Sequence, residues 1–319
     1  MQRRLLTALP AISLAAVLAA CGGSSSGGGT TPTPGSSSGG GASGSLTVGA
    51  AGFTESNLLA QMYADLLEKA GFTVNIKTVS SQEIFQSSLE KGTIAVVPEY
   101  AATYANSLET EVTGNQSPTA ASPDLQTTLT NLEKYATQKG LTHLDPANAV
   151  DQNAFAVTTA YATQHHLTTL SDLGASGLSV KLAAPAECAT RPFCKPGLQT
   201  TYKIKISSIL PLAFDSLPAK QAVKSGKVQM ALVATTDATL SSLGLVLLTD
   251  DKHLQNADNL IPIVNKADLA KHPEIATAIN PLASVLTTAD LGTLDNQVDG
   301  QRQTVADVAT AYLTSKGLL

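Results

Sequence analysis

From residue 46 onward the apolar residues follow two periods that take turns along the chain. Leu46-Thr-Val-Gly-Ala50 is a short apolar strand. Leu58, Leu59, Met62, Leu66 and Leu67 then recur at helical spacing, with Thr54 as the cap and Gly71 as the stop. Phe72, Val74 and Ile76 alternate with polar residues, which predicts a second strand. Ser80-Ser-Gln-Glu83 reads as a capping box opening a second helix that ends at Gly92. Ile94-Ala-Val-Val97 predicts a third strand, and Pro98-Glu99-Tyr100 starts the next turn. Strands and helices alternating through short connections predict an α/β fold with a largely parallel sheet.

The middle of the chain repeats this grammar. Phe155-Ala-Val157, Val180-Lys-Leu182, Val228 to Val233 and Leu245 to Leu248 read as strands with helical stretches between them. Leu260-Ile-Pro-Ile-Val264 is one more strand. Three helices follow, marked by Ile275, Ile279, Leu282 and Leu286 and then by Val305, Val308 and Tyr312. Open α/β sheets bind ligands at the carboxyl ends of their strands. Function is therefore expected at Ala51–Glu55, Pro98–Thr103, Pro185–Arg191 and Thr235–Asp237.

The first 45 residues break the pattern. Arg3 and Arg4 precede an apolar run, Leu5 to Ala20, that is short for a membrane span and reads as a signal peptide over residues 1–20. Leu18-Ala19-Ala20-Cys21 resembles the lipobox of bacterial lipoproteins, which implies a lipid on Cys21. Residues 22–45 are Gly, Ser, Thr, Pro and Ala without a charge, so 21–45 is expected to be a flexible tether. Its root-mean-square reach is on the order of 25–30 Å. The layout is that of a soluble domain held at the outer face of the cytoplasmic membrane, on the periplasmic side where an outer membrane exists.

Charge then narrows the partners. The chain has 20 Lys and Arg against 25 Asp and Glu, a net charge of −5, which becomes −7 once Arg3 and Arg4 are removed. That is too acidic for a nucleic-acid partner, and no later segment is apolar enough to span a membrane. With Cys21 lipidated, Cys188 and Cys194 remain as a pair in an oxidising compartment. Closing so short a loop contributes roughly 2–2.5 kcal/mol on the chain-entropy model. Local shape around Arg191 is the better reason for the bond.

Several stretches occur in a telling order: GAAGFTESNLLAQMYADLLEKAG, KGTIAVVPEYAAT, AAPAECATRPFCKPGLQTTY, ALVATTDATL and LVLLTDDKHLQNADNLIPIVNK. Together they resemble the substrate-binding lipoproteins of ABC transporters for glycine betaine, carnitine, choline and related osmoprotectants. The resemblance spans essentially all of residues 46–319. It implies an α/β type II periplasmic-binding-protein fold of two lobes, each a mostly parallel sheet flanked by helices, with a ligand cleft between them. Residues 46–150 with 259–319 are expected in lobe 1 and 153–255 in lobe 2, with crossings near Asp151–Asn153 and Asn256–Asp258. It further implies a monomer without a cofactor that delivers its ligand to a permease driven by a separate ATPase.

In betaine-binding members of that family four tyrosines surround the quaternary ammonium, whose lack of an N–H suits aromatic faces. Carried over by position, Tyr100 is the first, Thr103 a polar contact, and Arg191 the partner of the ligand carboxylate. The other three positions fall at Ala154 (beside Phe155), Ala234 and Asp258, so one tyrosine of four remains. Phe155, Phe214 and Tyr104 are the candidates for rebuilding an aromatic wall, and Asp258 points to a cation that donates hydrogen bonds. Phe53, Thr54 and Glu55 open a helix, whose exposed N–H groups favour an anion. Thr235, Thr236 and Asp237 follow a strand and complete the candidate list.

Other functional classes find less support. The sequence has no P-loop, dinucleotide fingerprint or metal motif, and His165-His166 lacks a third ligand at useful spacing. An enzyme on this fold needs a nucleophile–base pair, and none of His143, His165, His166, His253 and His272 has an evident partner at a strand end. A lipoprotein that senses its ligand and signals onward stays as an alternative.

Overall fold

The computed structural model describes residues 44–79 and 82–319. The expected signal peptide, Cys21, the tether up to residue 43 and the Ser80–Ser81 start of the expected capping box lie outside the described residues.

The chain first builds β1 (Ser45–Ala51), α1 (Thr54–Lys69), β2 (Thr73–Val79), α2 (Gln82–Glu90), β3 (Val96–Tyr100), α3 (Ala101–Thr113), α4 (Leu125–Gln138) and β4 (Leu141–His143). It continues through β5 (Asn153–Thr158), α5 (Thr159–His165), α6 (Leu170–Ala175), β6 (Ser179–Ala184), α7 (Lys195–Thr201), β7 (Lys205–Pro211), α8 (Leu217–Lys224), β8 (Met230–Ala234) and β9 (Leu245–Leu248). It closes with β10 (Leu260–Asn265), α9 (Lys266–Lys271), α10 (Glu274–Val285), α11 (Thr288–Asp295) and α12 (Val305–Ser315). One five-stranded sheet has the order β2-β1-β3-β10-β4, the other β7-β6-β8-β5-β9.

The α/β reading holds, and each sheet is mixed, with four strands running one way and one against them. In the first, β1 runs parallel to β2 and β3, while β10 is antiparallel to β3 and β4. In the second, β6 is parallel to β7 and β8, while β5 is antiparallel to β8 and β9. The reversed strands, β5 and β10, are those by which the chain arrives from the other sheet. Apolar periodicity is blind to that reversal, because both polarities bury the same faces.

Two sequence boundaries also move. β3 runs on to Tyr100 instead of turning at Pro98, since Pro98 stands opposite Pro262 in β10. Ala101 N donates to Asn259 O at 2.8 Å, which fixes the alternation and makes Pro98–Pro262 a pair where no amide donates across. The paired prolines therefore cost this ladder nothing. Thr54 does not cap α1: Phe53 holds the cap position in extended conformation, and the Thr54 hydroxyl donates to Asp299 Oδ1 at 2.7 Å. Gly71, at φ +106°, does close the helix, its N–H donating to Glu68 O.

Each sheet is covered on both faces. Leu58, Met62 and Leu67 of α1 pack with Ile279 of α10 and Leu313 of α12 on one side of the first sheet. Phe85, Tyr104, Leu108 and Leu132 from α2, α3 and α4 fill the other. In the second sheet Phe155, Leu182, Leu198 and Tyr202 form one core, and Ala156, Ala219, Val223 and Val233 the other. A buried ion triad joins the latter side. Lys220 Nζ donates to Asp237 Oδ2 at 2.7 Å and Thr239 Oγ1 at 3.1 Å, with Asp215 Oδ1 at 3.4 Å. Burial pushes Asp237 up, but hydrogen bonds from Lys220 and Thr239 outweigh it and leave the carboxyl below its usual range.

The chain crosses between the sheets twice, and the crossings are tied together. Val150 pairs with Asn259, and Asp151 N donates to Asp258 O at 3.3 Å. Thr235 N donates to Gln152 O at 2.9 Å, while its hydroxyl accepts from Gln152 N and donates to Val150 O. Beside this strap α11 touches the second lobe so closely that a Cβ on Gly292 would lie 2.4 Å from Thr236 O.

Candidate functional site

The strap brings the start of α3 and the crossing to a common concavity with Phe193 of a second-lobe disulfide loop. On the first-lobe side, Tyr100 ends β3 and its phenol donates to Glu55 Oε1 in the first turn of α1. Glu55 is 5% exposed. Burial, followed by the Asp295 charge, pushes its carboxyl up to about 8 against the Tyr100 hydrogen bond. Burial likewise pushes Asp295, at the end of α11, up to about 7, and raises Asp151 on the crossing. Among the described residues Asp295 Oδ1 is buried without a hydrogen-bond partner. Thr236 donates to Asp151 Oδ1 at 3.1 Å and Thr54 to Asp299 Oδ1 at 2.7 Å. Three acids missed in the sequence thus join Glu55 and Tyr100. They come from α11, the segment after it and the crossing, and only tertiary structure brings them to one place.

Asp258 has a different job from the one its sequence position suggested. Its Oδ1 accepts from Ala102 N and Thr103 N, both at 2.9 Å, and Oδ2 accepts from the Thr103 hydroxyl at 2.7 Å. It thereby caps α3 across the fold, since the cap residue Tyr100 offers no side-chain bond. Burial raises its carboxyl, while the Thr103 and Ala102 donors pull the other way. Asp258→Ala is expected to cost about 1–2 kcal/mol, the loss of a good cap. Urea unfolding checks this, and a midpoint equal to wild type would contradict it.

On the second-lobe side, a 3-10 turn at Ala186–Ala189 leads into a loop closed by the Cys188–Cys194 disulfide. Arg191 N donates to Glu187 O, and Cys194 N to Arg191 O, both at 3.0 Å. Gln255 Nε2 donates to Phe193 O at 2.9 Å and fastens the loop to the crossing. The Arg191 side chain is 70% exposed, its guanidinium 3.7 Å from Glu187. Arg191, Phe193, Phe214 and Leu232 line a cavity, and Phe193 also borders a concavity reaching Thr103, Asn106, Gln152 and Asp258.

Four candidates lie elsewhere. Phe155 is 1% exposed inside the second-lobe core, because its β5 position points to the face covered by α7 and Tyr202. Asp237, with a side chain 4% exposed, is spent on Lys220. Thr235 is spent on the crossing strap. Tyr104 is buried as well, its hydroxyl donating to Gln86 Oε1. Phe53 and Phe214 are exposed, Phe53 at the cap of α1.

The arrangement is polarised. Carboxyls and a phenol on one side suit a positive group, and a guanidinium on the other suits a carboxylate. Among the described residues, no group of three or more His, Cys, Asp or Glu is arranged to hold a metal ion. Nor, among them, is any helix long and apolar enough to cross a membrane.

Comparison with known proteins agrees with this architecture. A family profile described as the substrate binding domain of an ABC-type glycine betaine transport system matches residues 44–315. The chain is 25% identical over 287 residues to a glycine-betaine-binding protein of Pseudomonas aeruginosa, covering 86% of this chain and 89% of that one. It is 27% identical over 286 residues to the glycine betaine-binding protein YehZ of Escherichia coli, covering 86% and 92%. The apo structure of YehZ superposes with a TM-score of 0.74 at 25% identity, over 86% of this chain and 99% of that one.

Proposed function

Since the chain belongs to the family of substrate-binding domains of ABC-type glycine betaine transport systems, we propose that it captures a small zwitterionic or cationic osmolyte between its lobes. It then hands that solute to a permease powered by a separate ATPase. The observation that carries this reading is the division of charge between the lobes: Tyr100 with Glu55 and its neighbouring acids on the first, Arg191 on the second. Tyr100 and Thr103 supply contacts from the first lobe, Arg191 receives the carboxylate, and the exposed Phe53 borders the entrance. A lipid on Cys21 keeps the protein, as a monomer, at the outer face of the cytoplasmic membrane. Capture and release break no covalent bond, so the raised carboxyls serve as a binding surface rather than as catalysts.

The acids also refine the ligand's cation. Asp258 is committed to α3, so selection for a cation falls to Glu55, Asp295 and Asp151. The test is calorimetric titration of the purified protein with glycine betaine, choline and carnitine. Saturable binding to at least one is expected, and Tyr100→Ala should weaken it about tenfold or more, the loss of one or two cation–π contacts. If none of them binds, the osmolyte reading fails.

A further inference from the structure

The second lobe offers more recognition surface than a carboxylate clamp requires. Phe193 and Phe214 are 41% and 45% exposed in a chain with six phenylalanines and no tryptophan. Both line one cavity with Pro185, Pro192 and Leu232, and Arg191 stands in the same wall. The cavity shares Phe193 and Asn153 with the concavity that reaches Thr103 and Asp258, so the two adjoin.

The loop that forms this wall is fixed from three directions. The Cys188–Cys194 disulfide closes its base, and Gln255 holds the Phe193 carbonyl at 2.9 Å. Beneath it, a Cβ on Gly197 of α7 would lie 2.3 Å from Pro192 O, so helix and loop are in backbone contact. An open apolar slot with fixed walls is pre-organised for a rigid apolar body. The guanidinium, whose side-chain contact among the described residues is the 3.7 Å approach to Glu187, can take a carboxylate.

The size of the slot bears on the ligand's identity. Ala154 and Ala234, at two positions the resemblance assigns to the tyrosine cage, carry buried methyl groups and offer no ring face. A trimethylammonium joined to a carboxylate by one methylene cannot reach across two phenyl rings and the acids of the first lobe together. A betaine with a ring or a longer carbon chain can.

We propose that Phe193 and Phe214 form an aromatic subsite for the body of the ligand, with Arg191 holding its carboxylate, so that the protein prefers bulky or aromatic betaines to glycine betaine. This rests on the reading of the interlobe cleft as the ligand site. Stacking and apolar contact with the two rings supply the preference, and the first-lobe carboxyls receive the cation.

The experiment is calorimetric titration of the purified protein with glycine betaine, carnitine, choline and trigonelline, the N-methyl betaine of pyridine-3-carboxylate. Wild type is compared with Phe193→Ala, Phe214→Ala, Phe214→Leu and Arg191→Gln. Trigonelline is expected to bind at least about tenfold tighter than glycine betaine, and either alanine variant should erase most of that ratio. Phe214→Leu keeps apolar bulk without a ring and should fall between wild type and Phe214→Ala. Arg191→Gln should weaken the carboxylate-bearing compounds and spare choline, which has none. Both rings are exposed, so melting temperatures near wild type are expected and show that the variants fold. Trigonelline binding no tighter than glycine betaine, or a ratio unchanged in both alanine variants, overturns the subsite and leaves the osmolyte reading standing. Binding of none of the four overturns both.

Discussion

Lys220→Ala should cost the fold about 3–5 kcal/mol, the penalty for leaving a buried charge without its partner. Lys220 is buried on α8 and serves two carboxylates, Asp237 at 2.7 Å and Asp215 at 3.4 Å. Burial, then the Asp237 charge, push Asp215 up to about 7 even with the lysine present. Without the ammonium the two carboxylates face each other with Thr239 as the remaining donor to Asp237. The chain must then take up a proton or open the site to water. Adding Asp237→Asn to Lys220→Ala removes one of the stranded charges and should recover part of the loss. Denaturant midpoints read both variants. A Lys220→Ala midpoint equal to wild type, or no recovery in the double variant, would show that the triad is solvated.

The second large effect is on pH. Glu55 and Asp295 have ordinary carboxyl values when the chain is unfolded and stand at about 8 and about 7 when it is folded. Between roughly pH 4.5 and 8 the folded protein therefore holds protons that the unfolded chain has released. Stability is highest below the unfolded values and falls as pH rises through that window, by up to about 1.4 kcal/mol per pH unit for each group. Asp215 contributes in the same direction, and the groups facing Glu55 are Tyr100, Asp295 and Asp151. The apo protein should thus lose a few kcal/mol between pH 5 and pH 8, with Glu55→Gln flattening its share of the slope. A cation seated against these acids replaces the protons, so stabilisation by ligand should grow over the same interval. Thermal melts across pH decide the matter: a wild-type profile that rises from pH 5 to 8 would falsify the assignment of a buried proton.

Much of the architecture could be read from local pattern, because strand and helix periods record which faces are buried. The helical leucines of α1 and the strand at Leu260–Val264 are of this kind. What the pattern does not record is direction, so the reversed strands β5 and β10 went unseen. Candidate sites divide the same way. Tyr100, Thr103 and Arg191 are candidates that sequence could offer, because they lie at or after strand ends, where topology puts ligands. Phe155 could not be excluded, since alternation in a strand covered on both faces fails to say which side meets the cleft. Asp295 and Asp151 could not be included, since each is an ordinary acid until folding sets it near Glu55. Thr54 and Asp258 both look like short-range caps or turns. One instead bonds Asp299, 245 residues away, and the other caps α3 from 155 residues away.

Gly292 sets a limit on how this molecule can be tuned. Its hydrogen faces the Thr236 carbonyl of the opposite lobe, and a methyl group there has no room. Any larger side chain is a wedge at the pivot that penalises this arrangement of the lobes against every other. A ligand's apparent dissociation constant is its intrinsic value divided by the fraction of molecules in the competent arrangement. A bias of about 1.4 kcal/mol at the pivot is thus worth tenfold in affinity. Selection on how tightly the solute is held can therefore act on residue 292, and the sign of the change in a Gly292→Ala variant reveals whether the arrangement described is the one that captures or the one that lets go.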